Sequence, residues 1–362
     1  MYRQRIQRVM EGLKRKGITR ALITDPVSIY YMSGYYTEPH ERLLALYVAD
    51  DGGSISTTLF ANILFPYPKG AADQIVTFSD TDDAIGIVAT VVAGDTVLGV
   101  DKNMGARWLV PLMECGAARQ VKLASFAVDD ARSLKDERER EAMRAASVLN
   151  DRGMEWLAAQ VHEGVTEIEI AEGLLGAYRS LGAEGFSFDP IVSFSANAAD
   201  PHHEPDGTVF KRGDMVLFDV GCKLDDYCAD MTRAFFTAKP TERQLLVYDT
   251  VRRANEAAEK LVAPGVLFSD IDRCARSIIE DAGFGKYFTH RLGHQIGLEV
   301  HEPGDVSSAH AEPVQAGQIF SIEPGIYLPG EIGVRIEDLV LVVDGGCEIL
   351  NHYSKEPHVL EV

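Results

Sequence analysis

The chain has 362 residues, too many for one ordinary hydrophobic core, and suits two domains. Hydrophobic residues make up 46% and charged residues 25%, the balance expected of a globular protein in water. With 35 basic against 55 acidic side chains the formal charge is -20, which argues against a polyanionic partner such as nucleic acid.

Taken in chain order, the first ~130 residues alternate helices with short strands, an α/β pattern with a mixed sheet. The opening M-Y-R-Q-R-I-Q-R-V-M starts an amphipathic helix to about Lys16, ended by Gly17, and lacks the apolar run of a secretory signal. Short strands are expected over residues 21–24, stopped by Asp25-Pro26, and over 43–49, closed by the turn at Asp51-Gly52. Further strands are expected over 75–78 and 96–101, the latter behind a helix over 82–92. There is no G-x-G-x-x-G fingerprint and no P-loop, so a nucleotide site is not expected.

A boundary near 129–134 divides a first domain, 1–131, from a second, 132–362. Past it, K-D-E-R-E-R-E-A-M-R-A-A opens a long helix through about Gln160. Amphipathic helices follow at 167–181, 242–261 and 270–282, with extended Gly- and Pro-rich segments at 191–194, 215–222, 319–323 and 333–343. This is an α+β domain with its site on the sheet. No window approaches the ~20 apolar residues of a membrane span. The five cysteines (Cys115, Cys222, Cys228, Cys274, Cys347) are scattered without a C-x-x-C pair and read as reduced thiols of a cytoplasmic protein.

Chemistry concentrates in the second domain. Asp219 lies in the apolar strand M-V-L-F-D-V-G, where an isolated carboxylate is costly without a cation or strong hydrogen bonds. Asp230 follows in A-D-M-T-R, and two adjacent antiparallel strands would bring both side chains to one face. An ion pair with Arg233 is the competing reading for Asp230. His294 sits in H-R-L-G-H-Q-I-G-L-E-V-H-E, bracketed by glycines that let backbone pack against it, with His290 and His301 nearby. A lone histidine there would be an ordinary core residue. Glu323 in F-S-I-E-P-G-I-Y and Glu337 in V-R-I-E-D each stand at the end of an apolar extended run, where plain surface charges would be out of place. Four carboxylates and one imidazole form a hard site suited to two divalent cations, Mn²⁺ first, with Co²⁺, Zn²⁺ or Fe²⁺ as alternatives, and to hydrolysis by an activated water.

In this order the five motifs resemble the pita-bread metallopeptidases, which include methionine aminopeptidase, Xaa-Pro aminopeptidase and prolidase. The resemblance implies that Asp219 chelates one ion, that Asp230 and Glu337 bridge the pair, and that His294 and Glu323 hold the other around a bridging hydroxide. Glu323 would also carry a proton from water to the leaving amine. His202, in D-P-H-H-E-P, and His301, in E-V-H-E, correspond to two catalytic histidines beside the substrate, with His203 a bystander. Phe188, Ile191 and Val300 correspond to the apolar substrate pocket, or are simply core. Arg335, in V-R-I-E-D, is placed with the substrate-facing groups.

The first half is similar to the short bacterial Xaa-Pro dipeptidases: Gly34-Tyr35-Tyr36 precedes P-H-E-R-L-L-A-L, and Arg291 stands three residues before His294. This implies a creatinase-like N-terminal domain and a homodimer in which one subunit's loop, with His40, Glu41 and Arg42, closes over the other's site. Arg291 would face the substrate carboxylate, as an arginine fork does well. Without the resemblance P-H-E-R is a solvated charge cluster. Two positions depart from the pattern. Gln295 replaces a glycine often found after the ligand histidine, and Asp305 stands where longer prolidases carry an arginine, which leaves carboxylate reading to Arg291 and the partner's loop.

The expected activity is metal-dependent hydrolysis of Xaa-Pro dipeptides. The alternatives are an Xaa-Pro aminopeptidase acting on longer peptides and a metal-poor pita-bread hydrolase of small molecules. A non-catalytic binding module on this scaffold is a further reading. The complete set of five ligand residues weighs against the last two.

Overall fold

The computed structural model describes residues 1–94 and 97–362, in two compact units, Met1–Arg132 and Ser133–Val362. The first unit runs α1 (Arg3–Arg15), β1 (Arg20–Ile23), α2 (Pro26–Ser33), β2 (Ala45–Asp51), β3 (Ser54–Asn62), β4 (Gln74–Phe78), α3 (Ala84–Val92), β5 (Gly94–Val100), α4 (Ala106–Glu114), β6 (Ala118–Leu123) and α5 (Ser125–Ser133). Its sheet has the order β4-β3-β2-β1-β5-β6. It is mixed, as the sequence suggests: β1 and β3 flank β2 antiparallel, while β4, β5 and β6 join in parallel. The strand expected from Thr96 begins at Gly94 in the structure, and Thr96 itself lies outside the described residues. Asp25-Pro26 stops β1 but also starts α2, because Asp25 accepts the Ser28 amide as N-cap and Pro26 tolerates the first helical position. Between α2 and β2, His40 adopts φ 51°, a left-handed conformation that is strained for a non-glycine residue.

The second unit runs α6 (Glu137–Gln160), α7 (Glu167–Leu181), β7 (Gly185–Phe186), β8 (Ile191–Phe194), β9 (Met215–Val220), β10 (Cys222–Leu224), β11 (Tyr227–Cys228), β12 (Met231–Phe236), α8 (Glu242–Leu261) and α9 (Phe268–Asp281). It closes with β13 (Gly293–Gln295), β14 (Glu302–Val306), β15 (Ile319–Ile322), β16 (Gly325–Leu328), β17 (Ile332–Arg335), β18 (Asp338–Val343) and β19 (Gly346–Ile349). Asp136, Thr166 and Thr241 open α6, α7 and α8 with reciprocal capping boxes, which fixes where these helices begin.

Two cores sandwich the central strands. Val216, Phe218 and Val220 of β9 pack with Met154, Leu157, Leu174 and Tyr178 of α6 and α7. The alternate residues Met215, Ala234 and Phe236 pack with Val247, Val251, Ile271 and Ala275 of α8 and α9. A strand buried on both faces is apolar throughout, so the lone carboxylate of Asp219 stands out there.

One expectation is corrected. The segment 333–343, read as a single strand, is two strands in different sheets: β17 pairs with β16, and β18 pairs with β15 and β19. The break falls at Ile336-Glu337 because the Glu337 backbone pairs sideways, its amide donating to Thr232 O (3.1 Å) and its carbonyl accepting from Arg233 Nη1 (2.7 Å).

Candidate metal centre

Strand register explains why two aspartates eleven positions apart meet. β9 and β12 are antiparallel with Asp219 opposite Thr232 and Val220 opposite Met231. Side chains alternate along a strand, so Asp230, two residues before Thr232, points to the same face as Asp219. Arg233 points to the other face, where it binds Asp338 (2.6 Å) and the carbonyl of Tyr353 (2.7 Å), and the Asp230–Arg233 ion pair is not formed.

His294 reaches the same place on β13. Its amide donates to Ser321 Oγ (3.1 Å), and Nδ1 donates to Gln295 O (3.2 Å), which leaves the Nε2 lone pair for the cluster. Nε2 stands 3.6 Å from Asp230 Oδ2 and 3.4 Å from Glu323 Oε1. Atoms bound to one ion at about 2.1 Å stand about 3.0–3.4 Å apart, so these spacings suit shared coordination. Asp230, His294 and Glu337 each offer an atom within 4.8 Å of the others. Gly293 permits the approach: a Cβ there would lie 1.9 Å from Ser321 O.

The polar accounting also fits cations. Asp219 Oδ1 and Asp230 Oδ1 are buried with no hydrogen-bond donor, a costly arrangement for a carboxylate unless a positive ion faces it. Burial first, then the charges of Glu337 and Asp219, push the Asp230 carboxyl well above the usual range. Burial and the charges of Glu323 and Asp219 do the same to Glu337. Glu323 is pushed up to about 7, chiefly by burial, and burial with the neighbouring His301 lowers His294 to about 3. A divalent cation reverses each of these costs, since it favours ionised carboxylates and neutral imidazole. The donor set, five oxygen- or nitrogen-bearing groups without a thiolate, is a hard one. Cys222 and Cys228 are buried with thiols pushed up to about 12 by burial, and belong to the packing.

The cluster forms the floor of a cavity of about 460 Å³. Around it stand His202, His301, Phe188, Ile191, Val300, Arg291 and Arg335. The His301 ring meets His294 edge-on, with centroids 4.3 Å apart. Arg335 is buried. It donates to Asp219 Oδ2 (2.5 Å), Thr232 Oγ1 (3.0 Å) and Tyr327 Oη (2.8 Å), so it touches the candidate ligands directly. Arg291 is ion-paired with Asp305 at the rim. His40 and Arg42 belong to the first unit, where Arg42 makes a two-pronged contact with Asp80 (2.8 and 2.9 Å) and another with Glu41 (2.7 Å).

Thr232 and Tyr327 escape sequence reasoning, as does the role of His290. Thr232 donates to Glu337 Oε2 (2.6 Å), and Tyr327 Oη joins Arg335 to His290 Nε2 (2.8 Å). His290 in turn contacts Arg291 O through Nδ1 (2.7 Å), and burial lowers its pKa to about 4, so it is a neutral acceptor from Tyr327. The signal for Thr232 and Tyr327 lay in their motifs, A-D-M-T-R and E-P-G-I-Y, but their partners come from distant segments.

Known proteins resemble this chain along nearly its whole length. Residues 141–344 match metallopeptidase family M24, and residues 5–133 match the creatinase/prolidase N-terminal domain. An uncharacterized peptidase of Staphylococcus aureus (strain bovine RF122 / ET3-1) is 35% identical over 362 residues, covering 97% of this chain and 99% of that one. A crystal structure of recombinant prolidase from Thermococcus sibiricus superposes with a TM-score of 0.92 at 32% identity, covering 99% of both chains. The Xaa-Pro dipeptidase from Bacillus anthracis gives 0.90 at 27%, also covering 99% of both. The α/β first domain and α+β second domain expected from the sequence are the fold of these neighbours.

Proposed function

Since the chain belongs to metallopeptidase family M24, we propose that it hydrolyses the Xaa-Pro bond of dipeptides, the prolidase reaction. The observation that carries this reading is the convergence of Asp219, Asp230, His294, Glu323 and Glu337 on the floor of one cavity with two histidines on its wall. Enzymes of this family use divalent metals. Those five side chains would hold two such cations, whose charge would polarise a carbonyl and lower the pKa of water. Hard oxygen donors favour Mn²⁺.

The chain's own groups do the rest. Glu323 is the candidate proton carrier, because its side chain is 16% exposed toward the cavity while that of Asp230 is 5%. It takes a proton from the attacking water and gives it to the departing proline nitrogen. His202 and His301 donate to the carbonyl oxygen as charge develops on it. Phe188, Ile191 and Val300 shape an apolar seat for the proline ring. Arg335 orients Asp219 and offsets part of the carboxylate charge.

Arg291 reads the substrate carboxylate by exchanging Asp305 for it. That pair is rim-exposed, with side chains 37% and 48% accessible, so exchange costs little. A homodimer supplies His40 and Glu41 from the partner's loop, and the scattered free thiols suit the cytoplasm. The Arg291–Asp305 contact also supports a second reading, an aminopeptidase for Xaa-Pro-Yaa peptides, if Asp305 keeps Arg291 from the carboxylate. Metal content measured beside turnover of an Xaa-Pro dipeptide and an Xaa-Pro-Yaa tripeptide decides the matter. Preference for the tripeptide overturns the dipeptidase, and full activity after exhaustive chelation overturns the metallopeptidase.

A further inference from the structure

The geometry points to Glu167 as a positioning residue that sets His202 against the substrate. The inference rests on the catalytic role proposed for His202. Glu167 is the first residue of α7, directly after its N-cap Thr166, and is wholly buried. Both of its carboxylate oxygens are fully used. Oε1 accepts from the Phe194 amide (2.6 Å) and Asn197 Nδ2 (3.0 Å). Oε2 accepts from His203 Nε2 (2.6 Å) and the Asp206 amide (3.3 Å).

The four donors run from Phe194, the last residue of β8, to Asp206, the stretch that carries His202. The same segment is tied to the start of α7 by backbone, with the Glu167 amide donating to Thr208 O (3.2 Å) and the Ile168 amide to Asp206 O (3.1 Å). His202 adds one local bond, its amide to Asp200 Oδ1 (3.0 Å). The loop therefore closes on a single buried carboxylate, and His202 stands next to one of its four anchors. His203 is thus an anchor rather than a bystander.

Glu167, His203 and Asp206 together could be mistaken for a second metal site. The two oxygens already accept four hydrogen bonds, which occupies the lone pairs a cation would need. What the arrangement does instead is fix a loop. A displacement of about 1 Å at a catalytic group costs about a hundredfold in rate, so such a clamp bears directly on turnover.

The test compares kcat and KM for an Xaa-Pro dipeptide in the metal-loaded enzyme carrying Glu167→Gln or His203→Phe, each with His202 intact and with His202→Ala. Glutamine turns one acceptor into a donor facing donors. His203→Phe removes one anchor and keeps three, so it remains informative if Glu167→Gln does not fold. The expected result is a kcat loss of roughly ten- to a hundredfold with KM within about twofold, shrinking to under about twofold in the His202→Ala background. Equal losses in both backgrounds, or unchanged kcat, overturn the proposal. A second readout stands apart from activity: the His202 ring resonance in histidine-labelled protein should be single in the wild type and broadened or doubled in both variants. If the wild type cleaves no Xaa-Pro peptide, the peptidase reading fails, and an unchanged His202 resonance in the variants would still overturn the clamp on its own.

Discussion

Asp230 and Glu337 are held at high cost, buried beside like charges, and that cost dictates how their removal will behave. Asp230→Ala or Glu337→Ala should lower kcat/KM at least about a thousandfold, ~4 kcal/mol of transition-state stabilisation. In chelator neither variant should melt below the wild type, because each relieves repulsion among buried carboxylates. With excess Mn²⁺ the wild type should gain stability by mass action, ~2.7 kcal/mol at a hundredfold excess over Kd, and the variants should not. Calorimetry with and without metal checks this; wild-type-like turnover in either variant would remove it from the ligand set. Asp305 makes a second case. Asp305→Asn frees Arg291, so KM for the dipeptide should fall about threefold or more with kcat unchanged, and a rise in KM would show that Asp305 holds Arg291 in its working pose. The four candidate carboxylate ligands were legible in the sequence because a carboxylate in an apolar strand is costly to bury unless a cation or several strong donors face it. Thr232, Tyr327 and the role of His290 were not, because hydroxyls and a neutral imidazole incur no comparable burial penalty, and their bonds depend on segments brought together only by folding.

Elements with their own start and stop signals were legible too. α7 and α8 occupy the residues expected of them, each opened by a threonine capping box. What periodicity could not reveal was a change of sheet without a change of pattern. Residues 333–343 keep an apolar extended texture through the switch at Ile336-Glu337. β3 was missed because S-I-S-T-T begins polar and half-exposed. Close approach between elements gives a prediction of its own. Gly293→Ala places a Cβ against the Ser321 backbone, 1.9 Å from its oxygen and 2.7 Å from its carbonyl carbon, so β13 must move off β15 and carry His294 with it. A loss of about 3 kcal/mol and a larger proportional loss of metal affinity are expected. Gly176→Ala, inside α7 with nothing near the added Cβ, should instead be neutral or stabilising by up to about 1 kcal/mol. Parallel melting and metal titration of the two variants separates packing from helix propensity, and equal effects would discard the close-approach argument.

For the whole molecule the open quantity is how many copies make one working site. His40 is held at a left-handed φ of 51° in the loop that the dimer proposal sends to a partner, and such strain persists where a side chain must be presented in one direction. If the loop acts in trans, His40→Ala and Asp230→Ala damage different halves of a shared site. Each homodimer of either variant has two impaired sites. A mixed dimer has one site in which the intact metal cluster of the His40→Ala subunit meets the intact loop of the Asp230→Ala subunit. Random exchange makes half the dimers mixed, so about a quarter of wild-type activity should return on mixing. With a charge of -20 per chain the copies repel, and the screening length falls from ~30 Å at 0.01 M salt to ~8 Å at 0.15 M. Recovery on mixing should therefore be larger at the higher ionic strength, where dimers are better populated. Activity that stays at the mean of the two separate variants, at both salt concentrations and after unfolding and refolding them together, would mean that each chain completes its site alone and would leave His40 no catalytic duty in a neighbour.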